Sequence, residues 1–191
     1  MEQEKELKPI QRLHRAISLI EINDLYALKS SFELYVPPLS ITPEKTVLRH
    51  DQMSSWDIDE KRKILTCSIS RKITGFEKSK FEDDVFVKSS DDQSRKLSLK
   101  LFEFSAIINV IYLIKEDDIQ IDDVTFRIFT ETNAVFNSYP YFREFFHSQS
   151  ARMGMHPIVL PFLKPLNVKD INEKYSKVSE NEIADGDVGQ G

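Results

Sequence analysis

The fold of this chain is decided by two neighbouring stretches, YPYFRE (residues 139–144) and SARMGMHPIVLP (residues 150–161). The first belongs to a segment whose apolar residues follow helical spacing, yet it contains Pro140. A proline inside a helix costs about 3 kcal/mol, because it removes a backbone donor and its ring crowds the preceding turn. We therefore predict a long helix over residues 122–152 that is kinked or split at Pro140.

The two ends of this helix carry their own signals. Asp122 and Asp123 suit its beginning, where carboxylates meet the positive end of the helix dipole, and Gly154 suits its end. The apolar residues after the glycine predict a short extended segment over residues 158–163. A second short helix is predicted over residues 168–176.

Upstream of the helix, four segments show the alternation of apolar and polar residues that predicts β-strands. They cover about ten residues from Leu25, ending at a double proline, and then residues 46–57, 63–76 and 97–114. One face of the third strand is apolar and the other is mostly polar, as in an antiparallel sheet with one wet side. The residues on its apolar face are Leu65, Cys67, Ile69, Arg71 and Ile73.

The remaining segments lie outside this strand-and-helix pattern. Residues 6–23 carry apolar residues at spacings of three and four, which predicts an amphipathic helix that either docks on its own chain or offers its stripe to a partner. The charge-dense residues 78–96 predict a long mobile hairpin loop. The acidic residues 179–191 predict a disordered tail. The chain is thus divided into a helical extension (residues 1–24), a central domain (residues 25–178) and the tail.

Composition and charge exclude several classes of function. The 191 residues carry a net charge of −5, which gives no electrostatic support to nonspecific binding of nucleic acid. No apolar run is long enough to span a membrane, and no signal-peptide core occurs. The single cysteine, Cys67, cannot form an internal disulfide. We expect a cytoplasmic protein with no nucleic-acid partner and no membrane insertion.

The sequence contains no recognisable constellation for catalysis or for a cofactor. Gly-x-Ser-x-Gly, Walker A and Gly-x-Gly-x-x-Gly patterns are absent. No two of the four histidines have the i, i+4 spacing of a helical metal site. Cys67 alternates inward with Leu65 and Ile69, which favours a buried small hydrophobe over a nucleophile. We predict no catalytic residue, metal or cofactor, and keep an enzyme without a recognisable motif as the alternative class.

Aromatic residues are in excess. The 13 phenylalanines and 6 tyrosines exceed what one small core obviously needs. Either the core is bulky, or some of these rings form an oligomer interface or a peptide groove, since large exposed apolar patches generally mark binding sites. Rings lie on more than one side of the helix over residues 122–152. We therefore predict that this helix contacts another subunit, through Tyr139, Phe142 and Phe146.

The order of the predicted elements, together with residues 139–161, resembles the SecB family of export chaperones. Four antiparallel strands precede a long helix, an extended segment and a second short helix, which makes an α+β fold. A first strand that ends in a double proline is also similar to the family pattern. The resemblance implies a holdase that works without ATP. It also implies assembly as a homodimer or homotetramer that keeps unfolded client chains in apolar grooves.

By position, the resemblance implies a groove with three walls. These are the loop after the first strand, the aromatic residues of the sheet and the segment after the long helix. The client-binding residues predicted in this way are Leu39, Ile41, Phe102, Phe104, Ile158, Leu160 and Phe162.

The chain departs from the family pattern in three places. It has an additional N-terminal helix, a longer loop over residues 78–96, and NVKDI (residues 167–171) where the family has Asn-Phe-x-x-Leu. The acidic surface that docks the SecA motor in the family has no residue-by-residue match. The divergent family members that carry an additional N-terminal helix include SecB-like chaperones dedicated to the antitoxin of a toxin–antitoxin system. We therefore predict a chaperone with a dedicated client such as an antitoxin, with a general export chaperone that delivers preproteins to SecA as the alternative.

Overall fold

The computed structural model describes residues 7–78, 100–115, 121–156 and 158–185. In chain order the elements are helix α1 (Pro9–Leu19), strands β1 (Ile20–Leu34), β2 (Thr46–Asp59), β3 (Ile64–Glu77) and β4 (Lys100–Ile114), helix α2 (Asp123–Phe129), a π-helical turn (Thr130–Ala134), helix α3 (Val135–Arg152) and helix α4 (Val168–Asp185). Two 3₁₀ turns, Pro38–Ser40 and Pro43–Lys45, connect β1 to β2. The predicted α+β order of elements is confirmed.

The four strands form one antiparallel sheet in the order β1-β4-β3-β2. The residues predicted to share the apolar face of β3 are all buried. Their partners on β4 are Tyr112, Val110, Ile108, Ala106 and Phe104. The other face of β3 carries serine, threonine and lysine at most positions, so the helices pack on one side of the sheet only.

Helix α3 covers the apolar face, and the core beneath it is aromatic. The ring of Phe104 on β4 lies 5.4 Å from those of Phe142 and Phe146 and 5.9 Å from that of Phe145, between ring centroids. These are the separations of tilted and edge-to-face aromatic pairs. Much of the aromatic excess is therefore used inside the chain's own core, as the bulky-core alternative expects.

The N-terminal helix is shorter than predicted, and the first strand begins earlier. The apolar spacing predicted a helix over residues 6–23, whereas Ile20 already begins β1. Ile20 and Ile22 pair with Ile114 and Tyr112 at the end of β4. Helical spacing cannot reveal that a distant strand offers an open edge, and pairing with that edge satisfies the backbone groups of β1. The predicted boundary after residue 24 consequently falls inside a strand.

The long helix continues through Pro140 and is not split there. Within residues 123–152 its interruption is the π turn Thr130–Ala134 instead. A proline removes the donor for the carbonyl four residues earlier, here Phe136. Pro140 lies on the exposed side of α3. The helix tolerates the missing hydrogen bond at this exposed position, since the proline ring does not have to displace core side chains.

Gly154 ends α3 as predicted, with a φ of 74° that favours glycine. Its N–H donates to the carbonyl of Ala151 at 3.0 Å, and the N–H of Met155 donates to the carbonyl of Ser150 at 3.1 Å. This pair of bonds is a Schellman cap. The cap turns the chain back along α3, and this sets the course of the segment that follows.

The segment after the cap runs extended to the start of α4. The Tyr139 hydroxyl donates to the carbonyl of Pro161 at 2.6 Å and ties this segment to α3. Helix α4 continues to Asp185, past the end predicted at residue 176 and into the predicted tail. Ile171 and Tyr175 anchor its first half in the core, and each further residue then adds a backbone bond at little cost. All but the first residue of the predicted loop over residues 78–96, the predicted start of the fourth strand at residue 97, and residues 186–191 lie outside the described residues.

Candidate functional site

Residues 158–166, after the α3 cap, form a wall shared by three cavities that lie in a row. The α3 cavity, of about 420 Å³, opens between this segment and α3. The cationic cavity, of about 280 Å³, opens towards β2 and β3. The α1 cavity, of about 430 Å³, opens towards α1 and the π turn. Tyr139 and Phe162 line both of the first two cavities, and Leu163 and Lys164 line both of the last two. We call this row the groove.

The α3 cavity is mostly apolar and has charged residues at its rim. It is lined by Tyr139, Pro140, Arg143, Glu144, His147, Ile158, Val159, Leu160 and Phe162. The guanidinium carbon of Arg143 lies 4.2 Å from the ring centroid of Phe162, a cation–π contact. Phe162 is nevertheless 79% exposed. A large ring held in place without being buried is a ready contact for an incoming apolar side chain.

The cationic cavity contains the guanidinium of Arg71, from the apolar face of β3. Arg71 is only 6% exposed, and its guanidinium carbon lies 4.8 Å from the ring of Tyr139 and 5.6 Å from that of Phe142. Its Nη2 donates to the carbonyl of Val135 at 3.3 Å. Burial lowers the pKa of Arg71 to about 10. The side chain therefore still carries its positive charge at neutral pH.

Among the described residues, some of the other charged groups of the cationic cavity are paired with neighbouring charges, and some are free to meet a ligand. The remaining lining residues are His50, Asp51, Gln52, Lys72, Ile73, Tyr139, Phe142, Pro161, Phe162, Leu163 and Lys164. Lys72 pairs with Glu103 at 2.7 Å, and Asp51 pairs with Arg49 at 3.2 Å. Across residues 7–78, 100–115, 121–156 and 158–185, Lys164 makes no ion pair. The uncommitted charges of this cavity are therefore positive, in a protein whose net charge is −5.

The N-terminal helix builds one wall of the α1 cavity. The cavity is lined by Leu13, Ile17, Gln52, Glu131, Thr132, Asn133, Val135, Phe136, Leu163, Lys164, Pro165, Leu166, Ile171 and Lys174. Arg12 forms an ion pair with Asp122, the N-cap of α2, and the N–H of Ile10 donates to Asn172 of α4 at 3.2 Å. Helix α1 thus docks on its own chain, while Ile17 stays exposed at the cavity.

Glu131 ties the π turn to α4 beside this cavity. It accepts hydrogen bonds from Lys174 at 2.7 Å, from the Tyr175 hydroxyl at 2.9 Å and from Arg127 at 3.1 Å. Burial alone would raise the pKa of Glu131, but these hydrogen bonds outweigh it and hold the pKa below its usual value. Glu131 therefore serves the structure and is poorly placed to exchange protons near neutral pH.

The structure places the seven predicted client-binding residues at very different depths. Leu39 and Phe162 are exposed, at 72% and 79%. The other five are buried: Ile41, Phe102, Phe104, Ile158 and Leu160. Ile158, Leu160 and Phe162 come together at the α3 cavity, whereas Phe102 and Phe104 lie beneath α3. The client-binding prediction named elements by position, and position alone does not show the depth of each side chain.

The three residues predicted to form an oligomer interface are core residues. Tyr139, Phe142 and Phe146 are buried within their own chain, and the last two pack on Phe104 of the sheet. The exposed rings of α3 are Phe136 and Tyr141. Their burial within the chain speaks against an interface formed by these three residues. Helical spacing shows that rings point in several directions but not which direction meets the sheet.

Sequence reasoning missed many residues of the groove, among them Arg71, Lys164 and Ile17. Arg71 was assigned to the apolar face of β3, and a charged residue among apolar neighbours is a signal that could have marked it. Lys164 and Ile17 carry no such signal, because only the packing of the 158–166 segment and of α1 brings them to the groove.

The described residues show little that could support catalysis. They contain no group of three or more histidine, cysteine, aspartate or glutamate side chains that could hold a metal ion. Burial raises the pKa of the Cys67 thiol to about 11, and its sulfur lies 3.3 Å from the Thr130 hydroxyl. A thiol that stays protonated is a poor nucleophile. No helix in the described part of the chain is long and apolar enough to cross a membrane.

Comparison with known proteins relates the chain to a solved structure. No family model matches the chain, and no curated protein matches it. Among solved structures, it is similar to the Mycobacterium tuberculosis SecB-like chaperone Rv1957 in complex with a ChAD peptide from the Rv1956 HigA1 antitoxin. The TM-score is 0.64 at 14% sequence identity, over 82% of this chain and 99% of that chain. The chain therefore has the SecB-like fold, which confirms the fold expected from residues 139–161.

Proposed function

We propose that this chain is a SecB-like chaperone that holds client chains without using ATP, and that it is a binding protein and not an enzyme. The observation that supports this most is the groove, in which three cavities follow one extended segment. Such a row suits an extended client, whose side chains enter successive pockets. We place its action in the cytoplasm, in keeping with its composition.

We further propose that the client is a dedicated one, such as an antitoxin. The additional helix α1 supports this, because its Leu13 and Ile17 line the third cavity and so extend the groove. The likeness to a chaperone that binds an antitoxin peptide points in the same direction. A pull-down from the native host tests the choice. Recovery of many unrelated precursor proteins together with SecA, and without a dominant small partner, would favour the general export chaperone instead.

Among the predicted client contacts, we propose Leu39 and Phe162 as the ones a client reaches first. Phe162 stands at the mouth of two cavities. Leu39 lies in the turn Pro38–Ser40, and the ring of Pro38 is 3.9 Å from the position that a Cβ on Gly154 would take. The turn therefore lies beside the α3 cap. Ile158 and Leu160 are buried and line the α3 cavity together with Phe162, whereas Ile41, Phe102 and Phe104 are buried in the core.

The first test is suppression of aggregation, followed by light scattering of an unfolded client without nucleotide. We expect a stoichiometric amount of the wild-type chain to suppress scattering. Phe162→Asp should weaken client binding by roughly 10- to 100-fold, because burial of a phenylalanine contributes about 1.5–3 kcal/mol. Since Phe162 is exposed, the variant should keep its circular dichroism spectrum.

Met53→Asp is the matched control. Met53 is 77% exposed and pairs with Ser70, which lies on the polar face of the sheet, away from the groove. The Met53→Asp variant should suppress aggregation as the wild type does. Absence of suppression by the wild type would contradict the chaperone function. An equal loss in both variants would place client binding elsewhere.

We also propose that the chain forms a homodimer, or a homotetramer built from dimers, through the edge of β1. This strand has 15 residues and only one partner, β4, among the described strands. An unpaired edge of that length is a template for pairing with another chain. It also exposes three large apolar side chains, Ile22, Tyr26 and Leu28.

A further inference from the structure

The guanidinium of Arg71 is a buried charge without an acidic partner. Buried cations in proteins are usually paired, since burial removes the water that would solvate them. Arg71 instead has one backbone carbonyl and two aromatic faces. Its Nε has no hydrogen-bond partner among the described residues. An aliphatic side chain at this position in β3 would fill the same space without that cost.

The groups around Arg71 leave its charge uncompensated. The carboxylate of Asp51 is paired with Arg49, and Lys164 adds a second positive charge to the cavity wall. His50 is driven towards its neutral form, because burial and then the charge of Arg71 lower its pKa, with Asp51 opposing them. The cavity thus presents a directed donor and positive charge, and its one carboxylate, Asp51, is already paired with Arg49.

We propose that the cationic cavity binds a carboxylate side chain, from a glutamate or aspartate that lies within an apolar stretch of the client. This rests on the proposed function, in that the groove is taken to hold an extended client. A guanidinium matches a carboxylate in geometry and charge. The cavity lies between two cavities that are mostly apolar, so the client continues on both sides. The carboxylate is therefore an internal side chain and not the chain terminus.

The specificity follows from the burial of Arg71. A glutamine in place of the glutamate would offer a neutral oxygen to a charge that has lost its water, whereas a glutamate neutralises that charge. A purely apolar residue would leave the donor unsatisfied. The groove thus selects clients by one acidic residue flanked by apolar ones, which a groove made only of apolar residues cannot do.

The test measures the affinity of the full chain for three labelled nine-residue peptides by fluorescence anisotropy. The first has leucine and phenylalanine residues around one central glutamate, with both ends blocked. The second replaces that glutamate by glutamine. The third has the central glutamine and a free terminal carboxylate. We expect the wild type to bind the glutamate peptide about tenfold more tightly than the other two, because charged hydrogen bonds are the stronger ones.

Two variants and a control assign the preference to the cavity. R71M should bind the glutamate and glutamine peptides equally, and exchange of a buried charge for an apolar side chain of similar length is tolerated by many folds. K164Q, at an exposed position, should reduce the preference about threefold, since it removes one nearby charge. K169Q is the matched control, because Lys169 lies on α4 and pairs with Glu173, outside the cavity lining. It should keep the full preference.

Three results would overturn the proposal. These are equal binding of the glutamate and glutamine peptides by the wild type, a preference that survives in folded R71M, and tightest binding of the free-terminus peptide. If the glutamine peptide still binds and aggregation is still suppressed, the chaperone function stands without the carboxylate site. If no peptide binds and aggregation is not suppressed, both proposals fall.

Discussion

At the scale of single residues, the contact between Gly75 and Phe102 constrains the sheet. The two residues are paired across β3 and β4, and the ring of Phe102 occupies the space of a side chain at Gly75. A Cβ at that position would lie 2.2 Å from the ring carbon Cε1. No real Cβ contact is that short, so the ring would have to move within a core that is already full.

Gly75→Ala should therefore destabilise the protein by about 1–3 kcal/mol, the usual cost of overpacking a core. Urea denaturation measures the change in the free energy of unfolding. Ser55→Ala, at an exposed position on β2, should change it little. The pair Gly75→Ala with Phe102→Leu should recover part of the loss, because the smaller side chain leaves room for the new methyl group. An unchanged stability in Gly75→Ala would contradict the contact.

Phe142 is the residue at which sequence and structure predict different outcomes. As an interface residue, its change to aspartate would separate subunits that remain folded. In the structure it is 1% exposed and packs on Phe104, so Phe142→Asp should unfold the chain, and Phe142→Ala should cost about 3–5 kcal/mol. Thermal melting, monitored by circular dichroism, distinguishes dissociation of folded subunits from unfolding of the chain. Tyr141→Asp, one residue away and exposed, should melt like the wild type.

At the scale of elements, the groove depends on how the π turn and α4 are joined. Glu131 in the π turn accepts bonds from Lys174 and Tyr175 of α4. Its pKa lies below the usual 4.5 in the folded chain. A carboxyl group whose pKa is lowered by folding stabilises the folded state above its unfolded pKa, and that contribution is lost as the pH falls through the folded pKa. Acid should therefore weaken the attachment of α4 to the π turn, where Glu131 contacts Lys174 and Tyr175.

We expect the stability of the wild type to fall as the pH drops below about 4.5, with part of the fall due to Glu131. Glu131→Gln should be less stable at neutral pH and should lose less on acidification. Hydrogen exchange of the α4 amides at several pH values measures this directly. Glu173→Gln, on the exposed side of α4, should follow the wild-type profile. An identical acid response in Glu131→Gln and the wild type would contradict the role given to Glu131.

At the scale of the whole molecule, the sheet has one covered face and two edge strands, β1 and β2. The helices cover the apolar face of the sheet, so Tyr139, Phe142 and Phe146 of α3 are buried inside the chain. The edge of β1 keeps its outer backbone groups unpaired by any described strand. Assembly is therefore expected at that edge and not at the buried rings.

Sedimentation at micromolar concentration should show a dimer or a tetramer. Leu28→Glu should weaken the assembly by about tenfold or more, because Leu28 is 60% exposed on β1 and a charge at a pairing edge opposes association. Met53→Glu, at a position that is 77% exposed on the opposite edge strand β2, should leave the assembly intact. A wild-type monomer at that concentration would refute assembly, and equal dissociation by both variants would move it away from β1.

The sequence by itself determined the order of the elements, the two faces of β3, the N-cap at Asp122 and the stop at Gly154. Each of these depends on neighbours within a few residues, which is the range over which spacing, capping and turn rules act. Only the tertiary structure decided where α1 gives way to β1, which rings belong to the core, and that Arg71 meets Tyr139 beneath the 158–166 segment. Those outcomes join residues that lie far apart in the chain, and the free energy of burial that settles them exists only once the sheet and helices have packed together.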